Sequence, residues 1–187
     1  MGNFAQARFN YKKAVHLNQG DSQLHYKIAC SYMNEANWNS AIKSLEIALR
    51  LHRLQPEYNL AMGQCFMEIG KLDDAITYFG NVVRVRPKNI NGWLELLKCL
   101  YKAEMLEEAL EYAGFAFEQT DGKPIFLFYK SAVLYAMGRS KEALLNLEAG
   151  MNRNPKLVKK FIEINPSILQ VQQVVDIIAR YKKKKSL

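Results

Sequence analysis

The chain has 187 residues, of which 49% are hydrophobic and 11% aromatic, and a formal net charge of +8 at pH 7. Its sequence has no apolar run of the roughly 18 residues that a membrane-spanning helix needs, and its start lacks the basic and then apolar segments of a signal peptide. Residues 156–187 hold eight Lys or Arg and two Asp or Glu, which gives +6 and leaves +2 for residues 1–155. The body of the chain is therefore nearly neutral, which argues against a broad nucleic-acid-binding surface.

A pattern of 34 residues repeats along the chain. The clearest column of this repeat is alanine, at Ala7, Ala41, Ala75, Ala109 and Ala143. A second column holds Gly2, Ala36, Gly70, Glu104 and Gly138. A fixed period of this length predicts an array of small helical units, and we divide it into a half repeat at 2–21 and full repeats at 22–55, 56–89, 90–123 and 124–157.

The half repeat at the start, GNFAQARFNYKKAVHLNQ, matches only the second helix of a unit. Its first helix would precede Met1, so Phe4, Tyr11 and Val15 lack their expected partner. We expect that the chain is a fragment of a longer repeat protein or pairs with itself through this face.

The repeat at 56–89 shows the pattern of one unit. A first helix is predicted to begin at Pro56, which suits the first turn, and to end before Gly70, which suits a C-terminal stop. A second helix then opens with acidic residues, which are favourable at the positive end of the helix dipole, and ends at Pro87. We expect Gly63 and Ala75 to allow the two helices to approach closely, with larger side chains beside them.

These residues and their period resemble the tetratricopeptide repeat family. The positions that carry the resemblance are Tyr32, Ala41, Gly63, Gly70, Ala75, Phe79, Pro87, Trp93, Ala109, Gly138, Ala143 and Pro155. Departures from the family pattern are Ala29, Leu97 and Ser131 in the glycine column and Gln19, Arg53 and Asp121 in the proline column. The resemblance implies an all-α fold, a right-handed superhelical solenoid of antiparallel helix pairs, whose first helices line a concave groove that binds other proteins.

The pattern fades after Pro155, and residues 158–187 are predicted to form C-terminal capping helices with a basic tail. A short helix is expected to stop before Pro166. A longer helix is expected to follow it, with an apolar stripe at helical steps: Ile168, Val171, Val175 and Ile178. Such helices would cover the last open face of the array.

The sequence offers little for catalysis, and we expect neither enzyme activity nor a cofactor. His16, His25 and His52 are scattered, and neither they nor the cysteines have the spacing of a metal site or a catalytic triad. The acidic pairs at 73–74 and 107–108 are explained by helix starts. Cys30, Cys65 and Cys99 are expected to be buried thiols. Their odd, unclustered number favours a reducing compartment, with the cytoplasm preferred.

The predicted groove is mostly apolar and aromatic. The groove-facing positions that we select as binding residues are Tyr26, Met33, Leu60, Gln64, Met67, Asn91, Leu94, Lys98, Tyr101, Phe128 and Tyr135. Exposed tyrosine and methionine adapt well to a protein partner, so we predict that the groove binds an apolar or amphipathic peptide or helix. The alternative is that these side chains pack against the neighbouring repeats. A clamp for an acidic chaperone tail, known in this family, is not expected because Lys98 is the only basic residue among these columns.

The basic tail supports a second hypothesis. Lys182, Lys183, Lys184 and Lys185 could bind nucleic acid or an acidic surface, or could simply be solvated at a helix end, where cations complement the dipole. A third hypothesis makes the array the regulatory arm of a larger enzyme. The sequence does not identify the protein partner.

Overall fold

The computed structural model describes residues 4–183, with side chains to residue 181, and every regular element in that range is helical. The helices are α1 (Phe4–Leu17), α2 (Ser22–Met33), α3 (Trp38–Leu51), α4 (Pro56–Glu68), α5 (Leu72–Val85), α6 (Ile90–Lys102), α7 (Leu106–Gln119), α8 (Ile125–Ala136), α9 (Ser140–Arg153), α10 (Val158–Ile164) and α11 (Gln172–Lys183). Short 3-10 helices at Pro155–Leu157 and Pro166–Gln170 flank α10. The predicted all-α class of helix pairs is confirmed.

The chain forms two compact units, Met1–Cys99 and Leu100–Leu187. The N-terminal unit contains α1 to α5 and most of α6. The C-terminal unit contains the last turn of α6 and the helices that follow. The predicted full repeats each contain two consecutive helices, α2 and α3, α4 and α5, α6 and α7, and α8 and α9.

Local sequence signals start the helices. The Asp21 carboxylate accepts hydrogen bonds from the backbone N–H groups of Gln23 at 2.9 Å and Leu24 at 3.2 Å, which caps α2. The Asn37 side chain caps α3 by accepting from the N–H of Ser40 at 3.2 Å. Pro56 occupies the first turn of α4, as predicted.

One column of the repeat forms the turn inside each helix pair. Ala36, Gly70, Glu104 and Gly138 all have positive φ, at 53°, 79°, 58° and 75°. In each turn the N–H of the next residue donates to a carbonyl five residues back; the bond from Lys71 to Phe66 measures 2.9 Å. This is the left-handed C-terminal cap that ends many helices. The 34-residue period therefore repeats a backbone conformation, even where glycine is replaced.

Small residues allow the paired helices to approach closely. The alanines of the repeat at 41, 75, 109 and 143 are fully buried. A Cβ added to Gly63 would lie only 2.6 Å from the ring of Phe79 on the partner helix. In the same column of the last full repeat, the Ser131 hydroxyl donates to the carbonyl of Ala143 at 2.8 Å. The predicted tight contact at Gly63 is confirmed, with Phe79 as the side chain that fills it.

The N-terminal helix α1 buries none of its residues fully. It packs against α2, and Arg8 forms an ion pair at 2.8 Å with Glu35, in the turn that follows α2. The Arg8 guanidinium also lies 4.2 Å from the centre of the Tyr32 ring. Phe9 is 52% exposed and Leu17 is 91% exposed, so one side of α1 presents apolar groups to solvent.

The C-terminal helices build a separate core cluster. Its buried members are Phe128, Ala132, Leu147, Met151, Phe161, Ile168, Val174, Ile177 and Ile178. The prediction of one long helix after Pro166 is wrong, because a 3-10 helix covers Pro166–Gln170 and Val171 is extended before α11 begins. The predicted stripe is wrong in part for the same reason: Val175 is exposed, whereas Val174 and Ile177 are buried.

Candidate partner-binding surface

Three first helices of the N-terminal unit, α2, α4 and α6, hold most of the predicted groove residues. Together with Cys30, one turn after Tyr26 on α2, we name them the first-helix face: Tyr26, Cys30, Met33, Leu60, Gln64, Met67, Asn91, Leu94 and Lys98. Every member is at least partly exposed. Other side chains of the same helices, such as Ala29, Met62 and Leu97, are at most 1% exposed. The repeat therefore separates positions that form the core from positions that reach the surface.

Tyr26 is held in place by the neighbouring first helix. Its ring stacks on that of Tyr58, with centroids 4.9 Å apart and planes inclined by 30°. The hydroxyl of buried Tyr58 donates to Gln23 at 3.0 Å and lies 3.1 Å from the hydroxyl of Ser22. These bonds join the start of α2 to α4, so Tyr26 stacks on a tyrosine ring whose own position is fixed by hydrogen bonds.

The ionisable groups of the face are mostly neutral at pH 7. Burial, followed by the nearby Cys30 thiol, raises the pKa of Tyr26 to about 12. Burial also raises the pKa of Cys30, against the opposing effect of its hydrogen bond with Tyr26. Because a thiolate is needed for nucleophilic chemistry, Cys30 is poorly suited to it. The expectation of three buried thiols is wrong for Cys30, which is half-buried, while Cys65 and Cys99 are buried.

Polar groups lie among the apolar ones on α4 and α6. Leu60, Gln64 and Met67 follow one another along α4 and are partly buried. On α6, Leu94 is partly buried and Asn91 is exposed. Lys98 forms an ion pair with Glu95 on its own helix at 3.2 Å. The face thus combines apolar contact area with amide groups that can hydrogen-bond.

The C-terminal unit treats the same columns differently. Phe128 is 0% exposed and packs against Phe161 of α10, with ring centroids 6.0 Å apart. The prediction that Phe128 lines a groove is therefore wrong, because α10 covers it. Tyr101 is partly buried, and burial raises its pKa.

Tyr135 packs against the same C-terminal core cluster. Its hydroxyl is buried and has no hydrogen-bond partner among the residues that the structure describes. Burial raises the pKa of Tyr135 to about 12. Its partly exposed ring remains a candidate contact, whereas the hydroxyl is a buried polar group that no described residue pairs with.

The basic tail lies at the edge of the described chain. Lys182 and Lys183 end α11 without described side chains, and Lys184 and Lys185 fall outside the described residues. The nucleic-acid hypothesis based on this tail stays a prediction.

Among residues 4–181, no group of three or more His, Cys, Asp or Glu is placed to hold a metal ion. The imidazole Nε2 of buried His25 lies 3.4 Å from the carbonyl of Gln19, a contact within the fold. No helix in the described part of the chain has the length and apolarity required to cross a membrane.

A cavity of about 370 Å³ lies between α1, α2 and α3. This cavity was not predicted from the sequence. Its lining includes Lys12 and His16, one turn apart on α1, and Lys43 on α3. The signal in the sequence was the run of basic residues on α1 without an acidic neighbour.

Comparison with known proteins identifies the family. A model of the tetratricopeptide repeat matches residues 26–82 and 60–124, which together span more than half of the chain. The chain belongs to the tetratricopeptide repeat family, and its fold is that of a protein–protein interaction scaffold.

Solved structures share this fold at low sequence identity. YrrB, described as a TPR protein with an unusual peptide-binding site, is 19% identical with a TM-score of 0.67, over 92% of this chain and 82% of YrrB. A crystal structure of MamA is 18% identical with a TM-score of 0.75, over 84% of this chain and 92% of MamA. MamA from Desulfovibrio magneticus RS-1 is 16% identical with a TM-score of 0.69, over 89% of this chain and 88% of that structure. No curated protein sequence matches the chain.

Proposed function

We propose that the chain binds an apolar or amphipathic peptide, most simply a helix, on the first-helix face of α2, α4 and α6. One observation carries this proposal: leucine, methionine and tyrosine side chains at equivalent positions of successive first helices remain partly exposed. Apolar surface that persists at regular positions on a folded protein marks an interaction site.

The composition of the face fits this type of ligand. Tyr26 presents a ring supported from below by Tyr58, so binding orders little of its side chain. Met33 and Met67 have flexible thioether side chains that adapt to irregular apolar surfaces. Gln64 and Asn91 supply amide donors and acceptors for the polar side of a ligand.

The charge of the face argues for apolar recognition. Lys98 is its only charged member, and that ammonium is already paired with Glu95. An acidic ligand would find little electrostatic attraction here. Binding is therefore expected to depend weakly on salt, in contrast to an ion-driven contact.

The test is a pull-down from source-cell extract that compares the wild type with a Leu60→Glu, Leu94→Glu double variant. A matched control carries Leu145→Glu and Leu169→Glu, because these leucines are 67% and 45% exposed in the C-terminal unit. Circular dichroism must first show that all three proteins are equally helical.

We expect the wild type and the control to retain the same partner and the first-helix variant to lose it. The retained protein should then bind the purified chain directly, with the same ranking of variants. Equal retention by all three proteins would contradict the proposal and turn attention to the basic tail.

A further inference from the structure

The cavity between α1, α2 and α3 forms a furrow with a distinct chemistry. We name it the basic furrow and define it by Lys12, Val15, His16, Ile28, Lys43 and Ile47. Three of these side chains are aliphatic, and the two lysines come from different helices, Lys12 from α1 and Lys43 from α3. Its remaining lining residues bear hydroxyl or imidazole groups, and none is acidic.

The basic furrow has an equivalent one repeat later, which serves as an internal reference. That second furrow, of about 350 Å³, lies between α3, α4 and α5. Glu46 replaces Lys12 in it, and Arg50 replaces His16, so its charge is mixed. Asn81 also bridges it by donating to Asn59 at 3.1 Å. Helix packing alone therefore does not produce an acid-free, basic furrow.

A surface with the opposite character lies on α7 in the C-terminal unit. Phe115 is 45% exposed, and Tyr112 is 37% exposed. The two rings contact each other edge to face at 6.3 Å. Glu108, Glu111 and Glu118 occupy the same face at three- and four-residue steps, and the helix has no lysine or arginine. We name these five residues the α7 patch.

We propose that the α7 patch of one molecule docks into the basic furrow of a second copy. The furrow has cationic side chains beside aliphatic ones, and the patch has carboxylates beside aromatic rings. An aromatic side chain would rest on Val15, Ile28 and Ile47, while glutamates of the patch would face Lys12 and Lys43. This is a helix-in-groove contact in which complementary charge sets the orientation.

The contact joins two different surfaces, so it is heterologous. When two molecules are joined in this way, one keeps a free furrow and the other keeps a free patch, so further copies can add at both ends. Association is expected to grow with protein concentration and to weaken as salt rises, because exposed charges are screened. This salt dependence separates it from peptide binding at the first-helix face.

Sedimentation velocity of the whole chain tests the proposal, at low and high salt and over a wide concentration range. One variant, Lys12→Glu with Lys43→Glu, reverses the charge of the two lysine positions in the basic furrow. The other, Phe115→Asp, disrupts the patch, with Glu108→Gln, Glu111→Gln as a milder version if Phe115→Asp loses helicity. The matched control is Arg50→Glu, in the equivalent second furrow.

We expect the wild type and the Arg50→Glu control to form salt-sensitive oligomers. Each furrow or patch variant alone should associate about tenfold more weakly or worse, which corresponds to about 1.4 kcal/mol. An equimolar mixture of the two variants retains one intact furrow and one intact patch, and should form a dimer that does not grow. A wild type that stays monomeric at low salt would overturn the proposal, as would a mixture that behaves like its separate components.

Discussion

The first helices of the two units use the same sequence columns for different purposes. In the N-terminal unit, Tyr26 and Leu60 stay partly exposed at the surface. In the C-terminal unit, Phe128 occupies the same column and is fully buried beneath Phe161. The column thus specifies an apolar side chain, and the element packed on it decides whether that side chain reaches the surface or is buried in the core.

The largest effect is expected when Phe128→Ala is compared with Leu60→Ala. Phe128→Ala is expected to lower the free energy of unfolding by about 3–5 kcal/mol, because it leaves a cavity beneath α10. Leu60→Ala should cost about 1 kcal/mol, since part of its surface is already in water. Urea unfolding measures both values. Equal losses would mean that the two positions do not differ in burial.

A second test compares two glycines on the α4–α5 pair. Gly63→Ala would place a methyl group 2.6 Å from the buried Phe79 ring, and should destabilise the fold by about 1–3 kcal/mol. Gly80→Ala meets no atom within 4 Å, and should stabilise it by about 0.5–1 kcal/mol, because alanine is the better helix former. Thermal unfolding of the two variants shows whether each substitution raises or lowers the stability of the fold. Destabilisation by both would contradict the close approach at Gly63.

The buried hydroxyl of Tyr135 provides a third test, with a pH dependence. Tyr135→Phe removes a buried polar group that has no hydrogen-bond partner in the part of the chain that the structure describes, and should stabilise the fold by about 1 kcal/mol at pH 7. Burial raises the pKa of Tyr135 to about 12, so the folded state holds this proton more tightly than the unfolded state. The contribution of this proton to the free energy of unfolding is fully present below pH 10 and is lost as the pH rises toward 12.

The advantage of Tyr135→Phe should therefore widen between pH 10 and pH 12. Melting temperatures of both proteins across this range check the prediction. If the difference in melting temperature between Tyr135→Phe and the wild type instead narrowed as the pH rises, the prediction would be contradicted. Tyr26→Phe is the comparison in the N-terminal unit, where the hydroxyl bonds to Cys30, so no gain is expected there at pH 7.

The smallest effect is expected at the turns. Glu104 holds a φ of 58° in the column where Gly70 and Gly138 are glycine. Glu104→Gly should raise the free energy of unfolding by at most about 1 kcal/mol, because glycine adopts this conformation without strain. Glu107→Gly, in the first turn of α7, is the control and should lower it by about as much. If urea unfolding showed a lower free energy of unfolding for both variants, position 104 would not favour glycine as its positive φ predicts.

The sequence predicted the helix pairs because their signals are local and recur with the period. Pro56 and Gly70 mark the start and end of α4 within one residue or two. The positive φ at Ala36 and Glu104 was not predicted, although both residues had been placed in the column of Gly70. Only the turn geometry imposes that conformation on residues other than glycine.

The candidate site was predicted less completely. Spacing along α2, α4 and α6 identified the exposed positions, but it could not show that α10 covers Phe128. That burial depends on Phe161, which is distant in sequence and lies beyond the repeat pattern. The basic furrow was missed because it requires three helices, and charge along one helix does not reveal a cavity between several.

Hydroxyl-radical footprinting with and without the purified partner tests the central claim most directly. Met33 and Met67 are partly exposed on the first-helix face, whereas Met62 and Met151 are 1% and 2% exposed. We predict that Met33 and Met67 are oxidised in the free chain and protected by the partner, while Met62 and Met151 react little in either state. Unchanged oxidation of Met33 and Met67 in the complex would show that the partner binds elsewhere.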